Sequence, residues 1–145
     1  MKEGWNGDEY VVLYSPDEAN TFARICELNT ALPGFALLGL SGWQDFIVSD
    51  SAGMTFTIPS VPIDDAYLSP IDKPLPNQLT SDERLSGKVK WLIKPLLFGG
   101  DPRADDNFAW ITHQQYAELV HFWNDQYRQA KALGWLANAR IVPQD

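Results

Sequence analysis

Two histidines, one cysteine and nineteen carboxylates are the side chains in this 145-residue chain that could do acid–base, nucleophilic or metal chemistry. Their spacing argues against most of it. His113 and His121 stand eight apart on one helical stretch, too far for joint ligation of an ion, and no cysteine pair or histidine-rich tract accompanies them, so both read as surface or packing residues. Asp101-Pro102-Arg103-Ala104-Asp105-Asp106-Asn107 has the acid content of a calcium loop, but Arg103 takes a ligand position and Asp106 stands where that loop needs glycine. It reads as an Asx-rich turn. Ser41, in Gly39-Leu40-Ser41-Gly42, is not on a nucleophile elbow and has no marked base. Gly99-Gly100 lacks the lysine and spacing of a phosphate loop. Asp64-Asp65 and Asp105-Asp106 could do acid–base work only inside a cleft, and adjacent acids are usually solvated. Cys26 falls in an apolar helical stripe and reads as a small buried thiol. No catalytic residue, cofactor or metal is expected.

The elements that would position these groups are easier to read. The stretch Leu32 to Pro59 predicts three strands: an apolar run through Phe35 and Leu37, a turn over Gly39 to Gly42, a run from Trp43 to Ser49, a second turn at Asp50-Ser51-Ala52-Gly53, and a return over Met54 to Ile58. The second turn should pair Phe46–Val48 with Met54–Ile58 as a hairpin. Pro59 and Pro62 stop the last strand, since proline cannot donate to a ladder. Upstream, Tyr10 to Tyr14 predicts a short strand that feeds a helix. Ser15 caps it, Pro16 suits the first helical position, and Glu18 completes a capping box. That helix should end near Thr30, ahead of Pro33.

Beyond Ser60 the period is lost to Pro62, Pro70, Pro74 and Pro76, and residues 60–87 read as a long surface connection with a short turn of helix near Ser81 to Leu85. Lys88 to Lys94 alternates Val89, Trp91 and Ile93 with lysines, which predicts a half-exposed strand. Phe108 to Ile111 is a further short strand. A second capping box, Thr112 with Gln115, opens a helix whose apolar face runs through Tyr116, Leu119, Val120, Trp123, Tyr127 and Ala130, with Gly134 placed to end it in a left-handed conformation. Such a face should dock on a sheet.

Charge is unevenly divided. Residues 1–72 carry eleven acids against Lys2 and Arg24, while residues 73–145 carry nine bases against eight acids, so the whole of the net −8 sits on the half that holds the sheet. That argues against a phosphate-binding surface there and permits attraction to a basic partner. Only Lys88, Lys90 and Lys94 form a compact basic group, so direct nucleic-acid binding is not expected. A single cysteine excludes an intramolecular disulfide and suits a reducing compartment. MKEGWNGDEY has no apolar leader core, and no apolar run is long enough to span a bilayer, which points to a soluble cytoplasmic protein with no membrane role.

Leu13-Tyr14-Ser15-Pro16-Asp17-Glu18, then Leu32-Pro33-Gly34-Phe35, Leu38-Gly39 and Gly42, then Phe46 to Asp50 and Ile58-Pro59 follow one another in an order that resembles the core of the SUKH superfamily, the Smi/Knr-type proteins. The resemblance covers roughly residues 10–63. It implies an α+β domain, and it implies a role as a binding scaffold, since many bacterial members are immunity proteins that neutralise a cognate toxin, often a nuclease. It transfers no catalytic residue. The family usually places a helix before the first strand, where this chain has only MKEGWNGDE, and the half from Lys88 onward is not covered.

The expected architecture is therefore one α+β domain over residues 1–145: an antiparallel meander with helices on one face, comprising a SUKH-like core (10–63), a Pro-rich connection (64–87) and an added strand and helix (88–145). The expected function is non-enzymatic. It is an immunity protein occluding the active or substrate-binding surface of a basic toxin domain, the alternatives being a regulatory adaptor of the same fold or a small hydrolase hidden in the 60–87 flap. Six tryptophans suit either an interface or a core. Trp110 and Trp123 lie on periodic elements and are assigned to the core, whereas Trp5 and Trp43 sit beside glycines where exposure is expected. The candidate partner-binding residues are Trp43, Asp45, Asp50, Asp64 and Asp65.

Overall fold

The computed structural model describes residues 1–134; the last eleven residues of the expected C-terminal addition lie outside the described part. A six-stranded antiparallel sheet runs in sequence order: β1 (Lys2–Asn6), β2 (Glu9–Leu13), β3 (Ala36–Ser41), β4 (Asp45–Ser49), β5 (Thr55–Pro59) and β6 (Ser69–Pro70). The expected hairpin is present, and its register sets Phe46 opposite Ile58 and Val48 opposite Phe56. The strand β1 is an addition. Asn6 pairs with Glu9 across the two-residue turn Gly7-Asp8, in which Gly7 takes the positive φ, 68°, that the first central position of a type II′ hairpin turn demands.

Helix α1 (Pro16–Cys26) starts as its sequence dictates: the Glu18 N–H donates to Ser15 Oγ at 3.2 Å, and the Ser15 N–H donates to Glu18 Oε1 at 2.8 Å. It ends sooner than Thr30, because Glu27 adopts a left-handed φ of 56°, and a single further turn, α2 (Leu28–Ala31), follows. The break lets both Leu28 and Leu32 reach the core, each 1% exposed. The helix α3 (His113–Ala132) opens on the reciprocal Thr112–Gln115 box and is followed by Gly134 with φ of 76°.

One face of the sheet carries Tyr10, Val12, Leu40, Phe46, Val48 and Ile58, all buried in a single cluster with Tyr116, Ala117 and Val120 of α3. Each such side chain contributes roughly 1.5–3 kcal/mol of burial. The helix α1 packs against both β3 and α3, so the two long helices lie together over this face. Val11 and Ile47, which alternate to the opposite face, are buried as well. Two later strands, β7 (Val89–Leu92) and β8 (Phe108–Ile111), do not extend the meander. Among the described residues they pair only with each other, as a small second sheet whose Val89 and Trp91 join the main core.

The 60–87 connection is a strap rather than a loose flap. Residues 69–70 add to the edge of β5, and Thr80 then forms a bridge with Trp5 on β1, at the other edge of the sheet. The expected turn near Ser81–Leu85 is present, with the Leu85 N–H on the Asp82 carbonyl at 3.0 Å. Among the described residues no helix is long and apolar enough to cross a membrane.

Candidate partner-binding surface

The turn between β3 and β4 places Trp43 where the two sheets meet. Gly42 and Trp43 both have positive φ, 62° and 61°. For tryptophan that backbone costs roughly 1–2 kcal/mol, so the surroundings must hold it. The indole stacks on Tyr10 with centroids 4.9 Å apart and planes at 16°, and takes the rings of Trp5 and Trp110 edge-on at 6.2 and 5.4 Å. Its carbonyl accepts the Tyr116 hydroxyl at 2.6 Å. The indole Nε1–H is buried and has no acceptor among the described residues.

Beside this cluster is a pocket of about 100 Å³ between the end of β5, the β3–β4 turn and β7. Trp43, Trp91 and Tyr116 form its aromatic walls, Leu92 and Leu96 extend them outward, and Lys90 stands at the rim. The Lys90 ammonium lies 4.2 Å from the centre of the Phe108 ring, a cation–π contact that positions the amine. Around this corner the surface is apolar: Ile93 is 49% exposed, Trp110 46% and Leu96 43%. The assignment of Trp110 to the core is thereby corrected. It pairs with Lys90 across the β7–β8 ladder, so it shares the outward face of the small sheet with that lysine, while Val89 and Trp91 take the inward face. Trp123, assigned with it, is half-buried against the core and rests on Phe98 at 5.1 Å.

The five residues singled out from sequence do not converge. Trp43 belongs to the pocket but is half-buried and structural as well. Asp45 opens β4; burial, then the Glu9 carboxylate, pushes its carboxyl up. Asp50 lies at the other end of that strand, roughly 17 Å along the chain, and its Oδ1 accepts the Ala52 and Met54 N–H groups, which ties down the β4–β5 turn. Asp64 is committed too: its carboxylate accepts the Ala66 N–H, the Tyr127 hydroxyl at 2.6 Å and the Lys131 ammonium at 2.8 Å. Burial raises its pKa, but these donors outweigh burial and hold it at about 2. Asp65 alone of the four acids is exposed, with no side-chain hydrogen bond among the described residues.

Lys90, Leu96 and Trp110 are not among the contact residues expected from the sequence, which presents Lys90 only as part of a small basic group and Trp110 as core. The alternation of Lys88 to Lys94 already aims Lys90 outward, but its pairing with Trp110 depends on a register between strands separated by residues 93–107, which no local pattern encodes. The histidines do packing work. His113 is 5% exposed, its Nδ1 is 2.7 Å from the Tyr14 hydroxyl, and burial lowers its pKa, which favours the neutral ring. His121 lies 3.7 Å from Glu27 and 3.6 Å from Asp125, between α1 and α3. No group of three or more potential metal ligands gathers among the described residues.

The polar groups lining the Trp43 pocket are few. Ser60 donates its hydroxyl to the Gln44 carbonyl at 3.1 Å, and among the described residues Lys90 is the one charged group that lines the pocket. The arrangement is suited to gripping an apolar group beside an anion. Compared with protein-family models, with curated proteins and with solved structures, the chain gives no match.

Proposed function

We propose that the chain is a non-enzymatic binding protein that works by covering a surface of a protein partner, and that the partner is a toxin domain neutralised by occlusion, as in the SUKH immunity proteins that residues 10–63 resemble. The observation that carries the reading is the open apolar corner around the Trp43 pocket, where Ile93, Trp110 and Leu96 are each more than 40% exposed. Exposed aromatic and aliphatic side chains grouped beside an apolar pocket, Trp110 on β8 with Ile93 and Leu96 just after β7, mark an interaction surface. The net charge of −8 supports a basic partner, whose approach it accelerates at low salt. Among the acids expected to make contact, Asp65 is free to do so, Asp45 is half-buried, and Asp50 and Asp64 contribute field rather than direct bonds. The cytoplasm is the compartment that fits a lone, buried Cys26.

Co-purification tests this reading. Tagged protein expressed in its native host, washed at moderate salt, should retain a basic toxin domain in stoichiometric amount, and Trp110→Asp should release it. Recovery of the chain alone from cells making the neighbouring gene products would refute the immunity assignment.

A further inference from the structure

The corner at Trp43 is apolar in its walls and basic at its mouth, and the combination specifies what it receives. Among the described residues no carboxylate lines the pocket, although the chain carries nineteen. Lys90 stands at the rim, Lys88 and Lys94 flank it along the chain and are exposed, and none of the three is in an ion pair among the described residues. Lys90 is the one of the three that lines the pocket; an unpaired cation there, with two more on the same stretch of chain, is opposite in sign to a protein of net charge −8. A volume of about 100 Å³ admits one side chain and is well short of the ~300 Å³ at which small-molecule sites begin.

We infer that the pocket receives one aromatic or branched aliphatic side chain from an extended acidic segment of the protein partner, with a neighbouring carboxylate of that segment held by Lys90. The inference rests on the reading of the chain as a partner-binding protein and names the part of the partner that docks. It is compatible with a partner that is basic as a whole. Net charge acts across the solvent gap within a Debye length of about 8 Å at physiological salt, whereas Lys90 acts only on contact. The Phe108 ring beneath the ammonium fixes its position without neutralising it, so the cation stays available for a carboxylate. Trp110, edge-on to Trp43 and opposite Lys90 in the ladder, supplies a flat apolar flank along which such a segment can lie. A single-stranded nucleic acid offers anions and flat rings too, but the acidic first half of the chain repels a phosphate backbone.

Selection from a random peptide display library on the full chain tests the inference directly. The wild-type chain should enrich peptides in which an aromatic or branched aliphatic residue adjoins Asp or Glu. Lys90→Glu should shift that neighbouring position to Lys or Arg, and Leu96→Asp, a surface change that leaves the core intact, should weaken the wild-type peptides about tenfold or more. Enrichment without an acidic residue, an unchanged preference in Lys90→Glu, or tighter Lys90-dependent binding of oligodeoxythymidylate than of any peptide would overturn it. Acidic peptides selected at this corner with no toxin in the co-purification would remove the immunity reading and leave the site standing. A co-purified toxin indifferent to Lys90→Glu and Leu96→Asp would do the opposite.

Discussion

Asn124 and Asp64 show how single side chains on α3 hold the rest of the chain in place. Asn124 is 1% exposed; its Oδ1 accepts the Ile63 N–H at 2.7 Å, and its Nδ2 donates to the carbonyls of Ser60 and Val120 at 2.8 Å. Asn124→Ala strands a buried donor and a buried acceptor of the 60–63 segment and should cost about 3 kcal/mol in urea unfolding. Asn124→Asp keeps the acceptor for Ile63 but turns a carboxylate toward two carbonyls, so its folded pKa should lie above the unfolded value near 3.9. At pH 7 it should therefore be at least as destabilised as the alanine variant, and it should regain stability as pH falls through the carboxylate range. Asp64 behaves oppositely. Its folded pKa is depressed to about 2 from the model-compound 3.8, so its contribution is fully present above pH 4 and is lost as pH falls through 2. Because Lys131 is 59% exposed, the contribution is discounted for solvent screening to about 1 kcal/mol. Asp64→Asn should therefore lower the urea midpoint at pH 7, and the deficit should shrink toward zero as pH falls through 2; an undiminished deficit at low pH would show that the ionised carboxylate is not the source.

Elements were legible where their signals are local. Ser15-Pro16-Asp17-Glu18 and Thr112 with Gln115 gave both capping boxes, and Asp50 to Gly53 gave the hairpin. What depended on distant pairing was not legible: that β7 and β8 form a sheet of their own, and that Trp110 faces outward. The strand β1 is a different case, because Gly7-Asp8 carries a hairpin signal that the weak alternation of Lys2 to Asn6 obscured. Of the candidate site, Trp43 was found through its turn glycine. The acids around it were chosen by charge alone, and charge does not reveal which carboxylates are already engaged by backbone N–H groups. Gly39 shows how much an element can depend on one position. A Cβ built there would lie 1.9 Å from the Val12 carbonyl oxygen, at the register shift between β3 and β4. Gly39→Ala must push β2 and β3 apart in the middle of the sheet and should cost about 2–4 kcal/mol. Gly53→Ala, which meets nothing within 4 Å but has φ of 86°, should cost about 1 kcal/mol. Thermal unfolding of the two variants side by side separates crowding from backbone strain.

At the scale of the whole molecule, the 60–87 strap decides whether the sheet has edges. An open strand presents unpaired N–H and C=O groups to any passing chain, and natural sheets cover or blunt them. Here one segment serves both edges. At the β5 side Ser69 and Pro70 pair with Thr57 and Phe56, and the Ile71 N–H reaches the Thr55 carbonyl at 2.9 Å. At the β1 side the Thr80 and Trp5 backbones exchange two hydrogen bonds, at 2.8 and 3.0 Å, and the Trp5 Nε1–H donates to Asp82 at 3.2 Å. The Gly87 N–H then closes the run on the Glu3 carboxylate. Gly4 leaves room for this: a Cβ there would stand 2.5 Å from the Thr80 carbonyl oxygen. Amide exchange should accordingly be slow at Trp5, Ile71 and Thr80 and fast from Asp72 to Gln78, a pattern a mobile flap would not give. Thr80→Pro removes the donor to the Trp5 carbonyl and should unprotect β1 selectively, leaving β3 to β5 unchanged. Because the freed edge adjoins the Trp5–Tyr10–Trp43 cluster, the same variant should self-associate at concentrations where wild type is monodisperse by light scattering. Loss of protection throughout the sheet would instead mean that the strap is part of the cooperative core, and that the molecule cannot open an edge without unfolding.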